Sequence, residues 1–173
     1  RTSARDGAPH ATPTHPRPRR LGHALRECVG VPVAARWVDC CGASVTAVAL
    51  PGRARAFSRI AAAPAGTNEA KVADAMRAFP ECIGGTRRDV TALMRGVPGM
   101  IAKDGAESVY AVGLADGRAI ALKIADGGQR ARPIVMVAAL RRLGIDSDVF
   151  DTMAHAPVLG HGHPVGSIDT VGI

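Results

Sequence analysis

The stretch from Ser108 to Ile124 constrains the fold more than any other. β-forming residues run from Ser108 to Leu114, break at Asp116-Gly117 and resume from Arg118 to Ile124. An Asp-Gly pair between two such runs closes a hairpin, because Gly takes positive φ without a steric cost. A lone hairpin is at best marginal in water, so other elements must cover its faces. The 173 residues, 47% of them hydrophobic, are enough for one domain with a core. Ala and Val supply much of that content and aromatics only 3%. Such a core closes by near approach of small side chains.

The other elements follow from periodicity and punctuation. Leu21, Leu25 and Val29 fall on one face of a helix that Gly30 stops. Val33 to Val38 and Ser44 to Leu50 read as strands around the turn Asp39-Cys40-Cys41-Gly42. Arg53 to Ala63 is predicted helical, as is a segment capped by Thr67 or Asn68 that ends at Pro80. The expected core face of the latter is Val72, Ala75, Met76 and Phe79. Gly84 to Arg88 reads as a loop, and Asp89 to Arg95 as a short helix. Arg132 to Leu143 is a helix with Pro133 in its first turn and Gly144 at its end. A short helix near Asp146 to Met153, a Gly/His loop and a strand from Val165 to Val171 complete the chain. Helices and strands in mixed order point to an α/β fold, layered in the α+β manner.

Residues 1–20 carry +4 of the +7 net charge, through five Arg and one Asp, and are rich in Pro. They are expected to form a disordered tail ahead of a domain spanning 21–173. An Arg-rich tail also admits a nucleic-acid-binding function, but no aromatic RNA-binding pattern or zinc-finger spacing accompanies it. No run of apolar residues approaches the ~20 needed to span a bilayer, and residues 1–20 contain no signal-peptide core. The expected location is the cytoplasm, where Cys28, Cys40, Cys41 and Cys82 stay reduced. His161-Gly162-His163 supplies two metal-type ligands without a fixed third and reads as a surface loop.

Lys103-Asp104-Gly105 lies just ahead of the hairpin. A Lys-x-Gly on a strand beside a pocket is similar to the third signature of serine β-lactamase-like hydrolases. There the lysine stabilises the developing anion, and the glycine lets substrate approach the strand. A solvated lysine at a strand end would look the same in sequence. Further segments occur in order. They are Asp39-Cys40-Cys41-Gly42-Ala43, Ala54-Arg55-Ala56-Phe57, Ala75-Met76-Arg77-Ala78-Phe79-Pro80 and Gly84-Gly85-Thr86-x-Arg88. Leu93-Met94, Pro98-Gly99, Lys103-x-Gly105-Ala106-Glu107-x-Val109-Tyr110, Ala121-Leu122-Lys123-Ile124-x-Asp126-Gly127 and Arg130-Ala131 follow. This ordered set resembles the bacterial L-asparaginase II family of rhizobial type, over roughly residues 24–171.

The resemblance implies a serine β-lactamase-like sheet flanked by helices and hydrolysis of L-asparagine to L-aspartate and ammonia. Lys103 would be the catalytic lysine. Asp39, Arg88, Gly105 and Glu107 would bind substrate, although Asp39 fits equally well as a turn cap. Cys41 would be one ligand of a zinc ion otherwise held by a second Cys and a Lys. The chain departs from the family at Cys40, Arg87 and Ser108, which replace Gly, at Ser44, which replaces Pro, and at Val90, where an acid is usual.

The nucleophile of this chemistry is the serine of a Ser-x-x-Lys, and no serine here has a lysine three residues on. The second signature, Ser-x-Asn, is also absent. The expectation is therefore the C-terminal portion of such an enzyme, inactive by itself. Its partners would be L-asparagine, a second copy or a separate N-terminal half, and neither a membrane nor nucleic acid. The alternatives are a small basic nucleic-acid-binding protein acting through the Arg-rich tail, or a non-functional remnant. Apolar strand residues such as Val109, Ala111 and Ile120 would then lose part of their cover.

Overall fold

The computed structural model describes residues 16–38 and 44–173. The described residues form an α/β fold of six α-helices, two short 3-10 turns and seven strands in three antiparallel sheets. The chain divides into two compact units, Arg1–Ala56 and Phe57–Ile173. None of the described helices is long and apolar enough to cross a membrane.

In the first unit, helix α1 (Pro16–Val29) is followed by strands β1 (Ala35–Val38) and β2 (Ser44–Ala47), which pair with each other. The helix starts five residues ahead of Leu21, at Pro16, within the segment expected to be tail. Pro16 and Pro18 stand in its first turn, where the missing N–H would have had no intrahelical partner. Helix α2 (Leu50–Ala61) begins in this unit. Its Arg55 Nη1 donates to Val29 O at 2.9 Å and Gly30 O at 3.1 Å, tying the helix to the end of α1. Asp39, Cys40, Cys41, Gly42 and Ala43 lie outside the described residues.

The second unit is built on a three-stranded meander, β3 (Ile101–Gly105), β4 (Val109–Gly113) and β5 (Ala119–Lys123). The hairpin expected from Asp116-Gly117 is the β4–β5 pair, with Gly117 at φ +88° and the Asp116 carboxylate accepting from Arg118 N at 3.0 Å. Alternation sends Ala102, Tyr110, Val112, Ile120 and Leu122 to one face, where helices α5 (Asp89–Gly96) and α6 (Arg132–Arg142) pack. Leu93, Met136, Leu140 and Phe150 complete this core. Ile101 on the opposite face packs with Ala61, Ala73 and Met76 from the end of α2 and from α3 (Asn68–Ala78). Both faces of the meander are thus covered: Ala111 is buried, and Val109 and Ile120 are half-buried.

Helix α3 has its expected cap, the Thr67 hydroxyl accepting from Ala70 N at 3.1 Å, but not its expected face. Ala70 and Ala73 are buried, whereas Val72 and Phe79 are 51% and 58% exposed. Arg77 decides the rotation. It donates to Gly99 O at 3.0 Å and Ala61 O at 2.7 Å, and its place at i, i+3, i+7 with Ala70 and Ala73 puts these small residues against the sheet.

Three further differences are local. Pro80–Gly84, expected to end in a loop, forms the one-turn helix α4. The Gly/His segment pairs as strands β6 (Ala156–Gly160) and β7 (His163–Ile168) around His161 and Gly162, both at positive φ. This is the geometry of a two-residue hairpin turn. The residues near Asp146 to Met153 form a 3-10 turn at Asp148–Thr152 rather than an α-helix.

One turn is strained. Glu107 (φ +58°) and Ser108 (φ +53°) follow each other in the left-handed region between β3 and β4. Ser108 is buried, and its hydroxyl donates to Gly128 O at 2.7 Å. A left-handed side-chain residue costs about 1–2 kcal/mol, and Ser108→Gly removes that strain together with the hydrogen bond. Ser108→Ala loses the bond and keeps the strain. Denaturant unfolding is expected to find the Gly variant more stable than the Ala variant by about 1–2 kcal/mol; equal stability would mean that the turn carries no such strain.

Candidate functional site

The start of α6 places a charged side chain inside the core. Arg132, Met136 and Leu140 stand at i, i+4, i+8 and are all buried, so the arginine enters the same layer as the apolar residues. The Arg132 side chain is 4% exposed. A buried guanidinium requires carboxylates, and two meet it. Arg132 Nη2 donates to both oxygens of Asp89 at 2.8 and 3.0 Å, and Nη1 donates to Asp104 Oδ2 at 2.9 Å. Nη1 also donates to the Gln129 side-chain carbonyl. The guanidinium carbon lies 5.1 Å from the centroid of the Tyr110 ring, within cation–π range.

Each carboxylate has a structural reason for its position. Asp89 opens α5, where negative charge suits the helix N-terminus. Asp104 lies on β3 opposite Tyr110, on the face that α5 and α6 cover. Asp104 also accepts from Arg88 Nη2 and from Lys103 Nζ, the latter at 3.1 Å. Burial pushes the Asp104 pKa up, but the Lys103 hydrogen bond and the charges of Lys103, Arg132 and Arg88 outweigh it and hold the carboxyl below its usual range. Burial, with the Asp89 carboxylate adding to it, raises the Tyr110 phenol well above its ordinary value. The Tyr110 hydroxyl and Arg132 Nε are buried without a hydrogen-bond partner among the described residues.

This cluster floors an open cleft of about 550 Å³ lined by Arg88, Lys103, Asp104, Gly105, Gln129 and Arg132, among others. Three residues named from sequence, Arg88, Lys103 and Gly105, therefore share one surface. Lys103 is half-exposed, and its Nζ donates to the Asp104 backbone carbonyl at 2.5 Å as well as to the carboxylate. Gly105 has φ −132° and an added Cβ would meet Val109 Cβ at 3.5 Å, an ordinary contact. Its smallness leaves the strand edge open rather than relieving the backbone. Glu107 is not among the lining residues, and its carboxylate lies over Gly127. Asp39 and Cys41 lie outside the described residues.

Sequence reasoning missed Arg132, Asp104, Asp89 and Gln129. The signal was present for one of them: an arginine at the i−4 position of an apolar helix stripe implies a buried guanidinium. Nothing local indicated which acids would meet it. Among the described residues no group of three or more His, Cys, Asp or Glu is placed to hold a metal ion. Of the positions where the chain departs from the family pattern, Val90 is fully buried, Arg87 is exposed and Ser108 is the strained residue of the β3–β4 turn.

Residues 3–170 match the family profile described as L-asparaginase II. The match begins ahead of residue 24, the expected start of the resemblance, and so takes in most of the Arg/Pro-rich segment. A comparison with curated proteins found no match.

The Asp104 carboxyl couples stability to pH. Its folded pKa lies below the unfolded value of about 3.9, so its contribution is fully present above that value and is lost as pH falls through the folded pKa. Stability from urea unfolding is expected to drop below about pH 4, with a shallower drop in Asp104→Asn. Identical acid profiles would show that Asp104 carries none of the linkage.

Proposed function

The chain belongs to the L-asparaginase II family, and we propose that the Lys103 cleft is its substrate face, serving hydrolysis of the side-chain amide of L-asparagine. The observation that carries this reading is the meeting of Lys103, Arg88 and Gly105 on one cleft, with the lysine held against Asp104. Amide hydrolysis breaks the C–N bond, adds the elements of water, and leaves a carboxylate and ammonia. It needs a nucleophile, a group that takes and returns a proton, and positive charge where the carbonyl oxygen becomes anionic.

Lys103 suits the last role. Its ammonium is fixed by two hydrogen bonds to Asp104, which leaves one N–H for a ligand. Arg88 and Arg132 add positive charge to the same wall and favour the α-carboxylate of an amino acid. Gly105 leaves room for the substrate to lie along β3. A meander with helices on both faces also suits the serine β-lactamase-like arrangement that goes with this proposal.

The nucleophile is the part this 173-residue chain does not match, since none of its serines belongs to a Ser-x-x-Lys. We therefore assign it a supporting face rather than a complete centre. The purified chain is expected to release no ammonia from L-asparagine above a heat-inactivated control. L-asparagine should nevertheless shift the amide resonances of Lys103 to Gly105 in the 15N-labelled chain, and Lys103→Ala should abolish the shift. Absence of any shift at millimolar asparagine would remove the substrate assignment, and ammonia release lost on Lys103→Ala would show a complete centre.

Zinc fits this chain poorly. Cys41 is the one residue assigned to it by the resemblance, and zinc sites use about three or four protein ligands. No step is derived through a metal. Zinc after extensive dialysis is expected well below one equivalent per chain, by elemental analysis; one tightly held ion, lost in Cys41→Ser, would show a full ligand set.

A further inference from the structure

A second cleft of about 710 Å³ shares Arg88 with the first. That volume lies within the range of small-molecule pockets. We propose that it binds a small amphiphilic carboxylate, an anionic head on an apolar body.

The head is argued from the rim. Arg87, Arg88 and Arg95 all line this cleft. Arg87 has no ion pair among the described residues. Arg95 is paired with Glu81 at 3.0 Å, but the two side chains are 55% and 39% exposed. A pair so open to water contributes little, and a ligand can take its place. The one carboxylate lining the cleft, Asp89, already accepts two hydrogen bonds from the buried Arg132, so it does not repel an incoming anion as a free acid would. Guanidinium groups bind carboxylates through two parallel hydrogen bonds, and two of the three rim arginines are available for this.

The body is argued from the floor. Ile134 lines the cleft but is already buried, whereas Val149 and Met153 line it and are only partly buried. Bare inorganic anions would leave these side chains facing water. A hydrocarbon or aromatic group attached to the carboxylate would cover them, and removing apolar area from water is favourable in proportion to its extent.

The test uses the full 15N-labelled chain, titrated with benzoate at constant ionic strength made up with chloride, and in parallel with inorganic phosphate. Benzoate is expected to give saturable shifts in residues 86–92 and 152–156, with phosphate weaker. The double variant Arg87→Gln, Arg95→Gln is expected to weaken benzoate about tenfold or more. Both positions are at the rim, and amide dispersion in the same spectra verifies that the variant is folded. Three results would overturn the proposal: equal shifts with chloride alone, phosphate binding as tightly as benzoate, or unchanged affinity in the variant. L-asparagine at the first cleft is read at Lys103 to Gly105, so failure of one assignment leaves the other testable.

Discussion

Arg132 ties together the main elements of the second unit. One guanidinium joins the first residue of α5, the middle of β3, the loop before α6 and the ring of Tyr110 on β4. Removing one partner of such a buried pair leaves an uncompensated charge, at a cost of about 3–5 kcal/mol. That is a large share of the ~5–15 kcal/mol that holds a typical domain folded. A well-packed apolar replacement of the whole cluster is often as stable or more so, so stability alone does not account for it. Among the described residues, Arg132 Nε is buried without a hydrogen-bond partner even in this network. The arrangement makes best sense as a positioning device. It fixes Asp104, and through Asp104 it fixes Lys103 and Arg88 at the edge of a cleft.

The same cluster sets the electrostatics of both clefts. Three cations hold the Asp104 carboxyl below its usual range, and Lys103 donates to it, so the ammonium is oriented rather than free to sweep through solvent. Arg88 stands on the wall common to both clefts and reaches Asp104 from there. Asp89 faces the second cleft but is occupied by Arg132 from within. The result is a surface whose carboxylates are consumed internally while several of its arginines remain available outward.

Strain is placed close to this surface. The Glu107–Ser108 turn returns the chain from β3 to β4 through two consecutive left-handed residues, with the Glu107 carboxylate lying over Gly127, itself at φ +72°. The Ser108 hydroxyl recovers part of the cost through Gly128 O. The turn therefore tethers the loop that carries Gln129, one of the residues touching Arg132.

Much of this was legible in the residues because it is local. Asp116-Gly117 determined the hairpin, Thr67 the start of α3, and Pro133 with Gly144 the ends of α6, each through backbone preferences that act over a few residues. Family membership was legible too, since short motifs in a fixed order need no coordinates. The rotation of α3 was not, because its apolar residues allow two faces and Arg77 chose between them by bonding carbonyls 16 and 22 residues away. Nor was the central cluster, whose Arg132 finds Asp104 at a separation of 28 residues and Asp89 at 43. Sequence alone determined that a lysine and a glycine stand beside a hairpin. Only tertiary packing decided which carboxylates would meet a buried arginine, because burial demands a partner without specifying one.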